Sequence, residues 1–135
     1  MNHYHIVSRI AIYLLAIVMI IFGIYHFLNP RELVGYVPAF IPGGILWIYL
    51  VGAAFVLVAL ALITNRMVKL AGYVLATLLI IFILTIHLPN YLNAGDKEMK
   101  QIALISLLKD AAIAGFALHV AAGAYHQKLH LENSD

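Results

Sequence analysis

The sequence predicts an all-α fold: an integral membrane four-helix bundle with an interfacial flap between its first and second helices. Three observations lead there. The chain of 135 residues is 64% hydrophobic and only 10% charged, whereas a soluble domain is roughly half apolar and about a quarter charged. A small soluble fold leaves much of its surface in water and cannot hide such an excess. The apolar residues also gather into four long stretches, each closed by breakers or charges. A stretch of about 20 residues crosses a hydrocarbon core of about 30 Å at about 1.5 Å per residue, and a helix does so without unpaired backbone groups.

The first stretch runs from Ile6 to Leu28 and ends before Asn29-Pro30. Arg9 ahead of an apolar run resembles a signal peptide, but the run is longer than an h-region and ends without a small-residue cleavage site. It is expected to be a retained span. The second runs from Gly44 to Ile63 and ends at Thr64-Asn65-Arg66. The third, from Val68 to Leu88, is expected to end before Pro89, because proline cannot continue a helix. The fourth runs from Ile102 to Tyr125. Together they form one domain over residues 1–135.

The connections differ in kind. Thr64-Asn65-Arg66-Met67 is a tight turn, so the second and third spans are antiparallel neighbours. Residues from Asn90 to Gln101 read as a polar loop. The segment Arg31 to Gly43 carries Leu33, Val34, Tyr36, Val37, Phe40 and Ile41, but also Pro38, Pro42 and Gly43. It is too apolar to float in water and too broken to span. It is expected to be an interfacial or re-entrant flap, with a surface loop on apolar anchors as the alternative. Trp47 and Tyr49 suit the headgroup level. The tail from Gln127 to Asp135 is polar and expected to be mobile.

Four spans place the N-terminus, the Asn65 turn and the C-terminus on one side with Arg9, Arg66, Lys69 and Lys128. Arg31, Lys97 and Lys100 lie on the other side. The positive-inside rule makes the first side cytoplasmic. The formal net charge is +2, and the basic residues are spread along the chain with no patch that tracks nucleic-acid phosphates. With 0 Cys there is no disulfide, thiolate metal site or cysteine nucleophile. Redox chemistry would need a bound cofactor or a partner subunit.

Polar residues inside spans are costly and mark candidate sites. Lys109 and Asp110 sit in the fourth span, His87 ends the third, and Tyr25 and His26 lie near the end of the first. The topology puts all of them near one end of the bundle, under the Arg31–Gly43 flap. Lys109 can snorkel toward water, since helical side chains lean toward the N-terminus. Asp110 is shorter, points about 100° away, and needs a partner on the first or third span, for which His26 and His87 are the candidates. The readings left open are a structural polar clamp and a ligand or proton site. Two histidines and one aspartate are thin for haem or metal, and no metal is assigned.

Elsewhere His119 reads as a packed polar residue, His126 as interfacial, and His3, His5 and His130 as solvated. Tyr73, Thr77, Leu84 and His87 share one face of the third span, expected to pack, with a pocket lining as the lesser reading. Ala111, Ala114, Gly115, Ala117, Ala121, Ala122 and Gly123 make the fourth span rich in small residues, which fits close helix packing, with a homodimer contact as the lesser reading.

The run Gly23-Ile-Tyr-His26-Phe-Leu-Asn-Pro30, with Val37-Pro38 and Ile41-Pro42 after it, resembles the first span and flap of DoxX-like membrane proteins. Ile86-His87-Leu88-Pro89, and Leu107-Leu-Lys109-Asp110-Ala-Ala-Ile-Ala-Gly115, resemble the same family, so the likeness covers nearly the whole chain. It implies a four-helix bundle in a bacterial cytoplasmic (inner) membrane, with membrane or redox partner subunits. It also implies an accessory role in a quinone-linked redox system, not catalysis by this chain alone, and it transfers no catalytic residue set. Quinone is the expected small molecule. The alternatives are a lipid or small-molecule binding or transport protein and a structural assembly partner.

Overall fold

The structure, a computed structural model, describes the backbone of residues 2–133 and the side chains of residues 6–123. Among the described residues it is helical throughout, with turns and no strands. α1 is Asn2–Leu28, α2 Pro30–Val34, α3 Ile45–Thr64, α4 Val68–Phe82, α5 Leu88–Asn93 and α6 Lys97–Asn133, with a π-helical turn, Ile83–His87, between α4 and α5. Four helical segments are long and apolar enough to cross a membrane: Ile6–Leu28, Ile45–Thr64, Val68–Asn93 and Lys97–Gly123. Their outward faces carry Ile10, Leu14, Leu57, Leu70, Ile81, Leu108 and Leu118, all exposed. No polar or charged residue is buried among the described residues. Apolar outside as well as inside, the chain is a membrane protein.

The helices join as two close pairs. α1 packs along α3, and α4 along α6. Each crossing turns on glycine. A Cβ on Gly23 would lie 2.6 Å from Val56 Cγ2 and 2.8 Å from the Gly52 carbonyl oxygen. A Cβ on Gly72 would lie 2.7 Å from the Ala117 carbonyl oxygen and 2.9 Å from Ala121 Cβ. Removing the side chain lets the backbones approach, which is how membrane helices gain packing contacts that lipid cannot supply. Larger side chains fill the space between the pairs, and Met19, Phe55, Leu75 and Leu79 belong to one core cluster with Ala114 and Ala117.

α3 ends where Asn65 adopts the left-handed conformation at φ 57°. The Arg66 amide then reaches the Ala61 carbonyl at 3.0 Å, and the Asn65 amide reaches that of Leu62 at 3.3 Å. These are the two bonds of a Schellman cap, and asparagine tolerates the position they require. The tight turn follows from that cap.

Two sequence expectations are corrected. Pro89 does not end the third span, because the helix runs on through α5 to Asn93. Proline lacks an N–H and would crowd the carbonyl four residues earlier. The ladder changes register just before it, and the Leu88 amide donates to Ile83 O in an i→i−5 bond. The residues from Asn90 to Gln101 are mostly helical rather than a loop. Only 94–96 separate α5 from α6, and Asp96 Oδ1 accepts the Met99 amide at 2.7 Å. That N-cap starts α6 at Lys97, ahead of the expected Ile102. At its far end the α6 backbone passes Tyr125 and remains helical to Asn133. The expectations for the side chains of His3, His5, Tyr125, His126, Lys128 and His130, and for the tail's mobility, lie outside the described residues.

Residues after α2 form successive turns, with Tyr36 N–H on Leu33 O, Val37 N–H on Val34 O and Ile41 N–H on Pro38 O, each at 3.1 Å. Gly43 and Gly44 have φ of +95° and +46°, a region glycine enters freely. Trp47 Nε1 donates to the Pro42 carbonyl across this bend. Asn90 Nδ2 donates to Tyr36 O at 2.8 Å and ties the segment to α5.

Candidate functional site

The polar side chains divide between the two helix pairs. His87 Nε2 lies 2.8 Å from Asp110 Oδ2, and each side chain is 19% exposed. An ionised carboxylate only accepts, so Nε2 carries the hydrogen and Nδ1 is left as the free acceptor of a neutral ring. The bond is an ordinary one when His87 is neutral and an ion pair when it is protonated.

Both residues reach this position for local reasons. Ala103, Ala114, Ala117 and Ala121 are buried on α6, and Asp110 falls on the same helical stripe at spacings of seven, four, three and four. Its carboxylate therefore points toward α4 and the π turn. Lys109, one residue away, is exposed and makes no ion pair among the described residues. His87 owes its direction to the π turn. On an unbroken α-helix Leu84 and His87, three residues apart, would share a face. Here Leu84 is 59% exposed while His87 meets Asp110. A one-residue change of register corresponds to about 100° of rotation, so the π turn changes which neighbours the residues after it meet.

His26 belongs to the other pair. Its Nδ1–H donates to Phe22 O at 2.6 Å, one turn back on its own helix. Its ring stands edge-on to Phe55 at 5.4 Å, and Phe55 in turn meets Phe82 at 6.3 Å. A line of aromatic rings thus separates His26 from the π turn that holds His87. Tyr25 is 45% exposed on α1. The structure brings together His87 and Asp110 from the expected cluster, while His26, Tyr25 and Lys109 make no direct bond to either.

Tyr73, Thr77 and Leu84 are exposed, so their face is not packed within the chain. The core face of α4 is Ala71, Gly72, Leu75, Ala76 and Leu79 instead. The small residues of α6 divide likewise: Ala114, Ala117 and Ala121 are buried against α4, while Ala111, Gly115 and Ala122 face outward. His119 is exposed, not packed. Among the described residues no group of three or more His, Asp or Glu side chains could hold a metal ion. Shallow notches open on the surface beside Lys97 and Lys100 and beside Arg31 and Glu32, and neither of these is lined by His87 or Asp110.

The π turn and the Asp96 cap were the features missed from sequence. Pro89 after a long apolar run, and Gly95-Asp96 ahead of Glu98, were the signals that could have found them. Residues 15–121 match the model of a protein family described as Domain of unknown function (DUF8561). No curated protein and no solved structure matches the chain.

Proposed function

The chain belongs to the DUF8561 family, whose description assigns no activity; from the resemblance of its sequence to DoxX-like membrane proteins and from its His87–Asp110 pair we propose that it is an accessory subunit of a quinone-linked membrane redox system. In this reading it is a four-helix bundle in a bacterial cytoplasmic membrane, with both termini in the cytoplasm and residues 31–43 closing one end as a flap. The observation that carries the proposal is the hydrogen-bonded pair His87–Asp110 inside an apolar protein. A carboxylate that fixes the imidazole tautomer and stabilises the imidazolium makes the remaining nitrogen a ready proton acceptor. A π turn placed at such a residue is a frequent mark of a functional site.

A quinone headgroup needs a hydrogen-bonding group on an apolar wall open to the bilayer. His87, 19% exposed and followed by the exposed Leu88, offers such a group through its second ring nitrogen. A bound quinone would supply the electron-carrying chemistry. The chain's own part is to accept a hydrogen bond or proton at Nδ1 and to hold the ring through Asp110. The resemblance to DoxX-like proteins supports the same reading. In this reading electron transfer itself belongs to a partner subunit.

The test is lipid extraction and mass spectrometry of the protein purified in mild detergent. Quinone is expected to co-purify with the wild type and with Lys109→Gln, and to be lost from Asp110→Ala and His87→Ala. Absence from the wild type, or full retention in Asp110→Ala, overturns the proposal. A second reading is a structural clamp, favoured by the direct link the pair makes between the π turn and α6. It predicts that the same variants lose stability and that no small molecule is released.

A further inference from the structure

A second site lies where α5 meets α6. A notch of about 210 Å³ there is lined by Tyr91, Lys97, Lys100, Gln101 and Leu104. The sequence spreads its basic residues thinly, but the fold brings two of them to this one place. Lys97 and Lys100 are three residues apart on a helix and share a side, and Gln101 is their neighbour on the next residue. Lys100 Nζ stands 5.0 Å from the centroid of the Tyr91 ring, a cation–π contact that holds the ammonium over the notch.

No carboxylate lines this notch. The nearby Asp96 is engaged in capping the Met99 amide at 2.7 Å, and Glu98 is exposed outside the lining. The notch lined by Leu28, Asn29, Pro30, Arg31 and Glu32 holds one cation and one acid in its lining. The lining of the α5–α6 notch holds two ammonium groups, an amide and a phenol, with Asp96 and Glu98 outside it.

Its position selects among anions. Lys97 is the first residue of the candidate span Lys97–Gly123, so the notch lies at the end of a helix long and apolar enough to cross a membrane. Its inner wall is Leu104, and Leu108 one turn deeper is 57% exposed. A ligand that placed an anion on the lysines would lay its apolar part along this leucine surface. We propose that the notch binds a phosphate group, that of an anionic phospholipid seated at the membrane surface. The site is independent of the His87–Asp110 pair and of which side of the membrane it faces.

The test is native mass spectrometry of the full chain in detergent with phosphatidylglycerol, with phosphatidylcholine and with inorganic phosphate. Phosphatidylglycerol is expected to bind more tightly than phosphatidylcholine. Each lysine near a membrane surface contributes about 1 kcal/mol toward an anionic lipid, so replacing both should weaken phosphatidylglycerol roughly thirty-fold. The double variant Lys97→Gln/Lys100→Gln is therefore expected to lose that preference, while Lys97→Arg/Lys100→Arg and Lys109→Gln keep it. Equal binding of the two lipids by the wild type, or unchanged phosphatidylglycerol binding in the Gln double variant, overturns the proposal. Millimolar inorganic phosphate that displaces phosphatidylglycerol through the same lysines would keep the phosphate site and refute its lipid source. Both Lys97 and Lys100 are exposed, and unchanged helicity of the variants separates lost binding from lost fold.

Discussion

Replacing Asp110 with alanine removes the acceptor of the bond from His87 and leaves a part-buried imidazole facing an apolar helix. The size of the effect follows from the geometry. At 2.8 Å the bond is short, and each side chain retains 19% exposure. Hydrogen bonds to charged groups are worth about 1.5–3 kcal/mol in protein interiors, and exposed ion pairs about 0–1 kcal/mol. Interhelical polar contacts in membrane proteins average about 0.6 kcal/mol and reach about 1.7. A part-buried pair within a membrane helix bundle falls between these limits, at a coupling of about 1 kcal/mol. The single change Asp110→Ala should cost somewhat more, about 1–2 kcal/mol, because it also strands His87 without a partner.

The assay is a double-mutant cycle over His87→Ala and Asp110→Ala, read as unfolding of the purified protein in mixed micelles with increasing dodecyl sulfate. Asp110→Asn keeps an acceptor oxygen and should retain much of the stability. Additivity of the two alanine changes within about 0.3 kcal/mol would refute the coupling, and with it both the proton site and the clamp.

Three further outcomes are expected. Gly72→Ala should destabilise by about 1–3 kcal/mol in the same assay, because the added carbon meets backbone at Ala117 that cannot swing aside; Gly115→Ala, with nothing within 4 Å, should be neutral or slightly stabilising. Asp96→Ala should cost about 1 kcal/mol and increase amide hydrogen exchange over the first turn of α6, while Asp96→Ser preserves the cap. Phe55→Ala, at a side chain 3% exposed between His26 and Phe82, should cost about 3 kcal/mol, and a loss below about 1 kcal/mol would show that the aromatic line carries little of the packing.

The sequence by itself determined the membrane class and the number of long apolar helices, because the requirement that spans be apolar and about 20 residues long is written directly in composition and spacing. It placed the α3 span within one residue at each end, since Asn65 after Thr64 is a local capping signal. It also set Asp110 on the alanine stripe of α6, a matter of helical period alone. The α5 helix and the start of α6 were less legible. A proline in a long helix ends it or is absorbed by a register change, and only the surrounding packing decides between the two. Tertiary structure alone decided which histidine meets Asp110. His26 and His87 are equivalent by span order, but close glycine contacts hold α1 to α3 and α4 to α6, and this puts His26 against Phe55. The π turn at Ile83–His87, packed against α6, brings His87 to Asp110. Local propensity reports how a segment folds; the direction of a side chain after a register shift, and the neighbour it meets, depend on contacts between segments far apart in the chain.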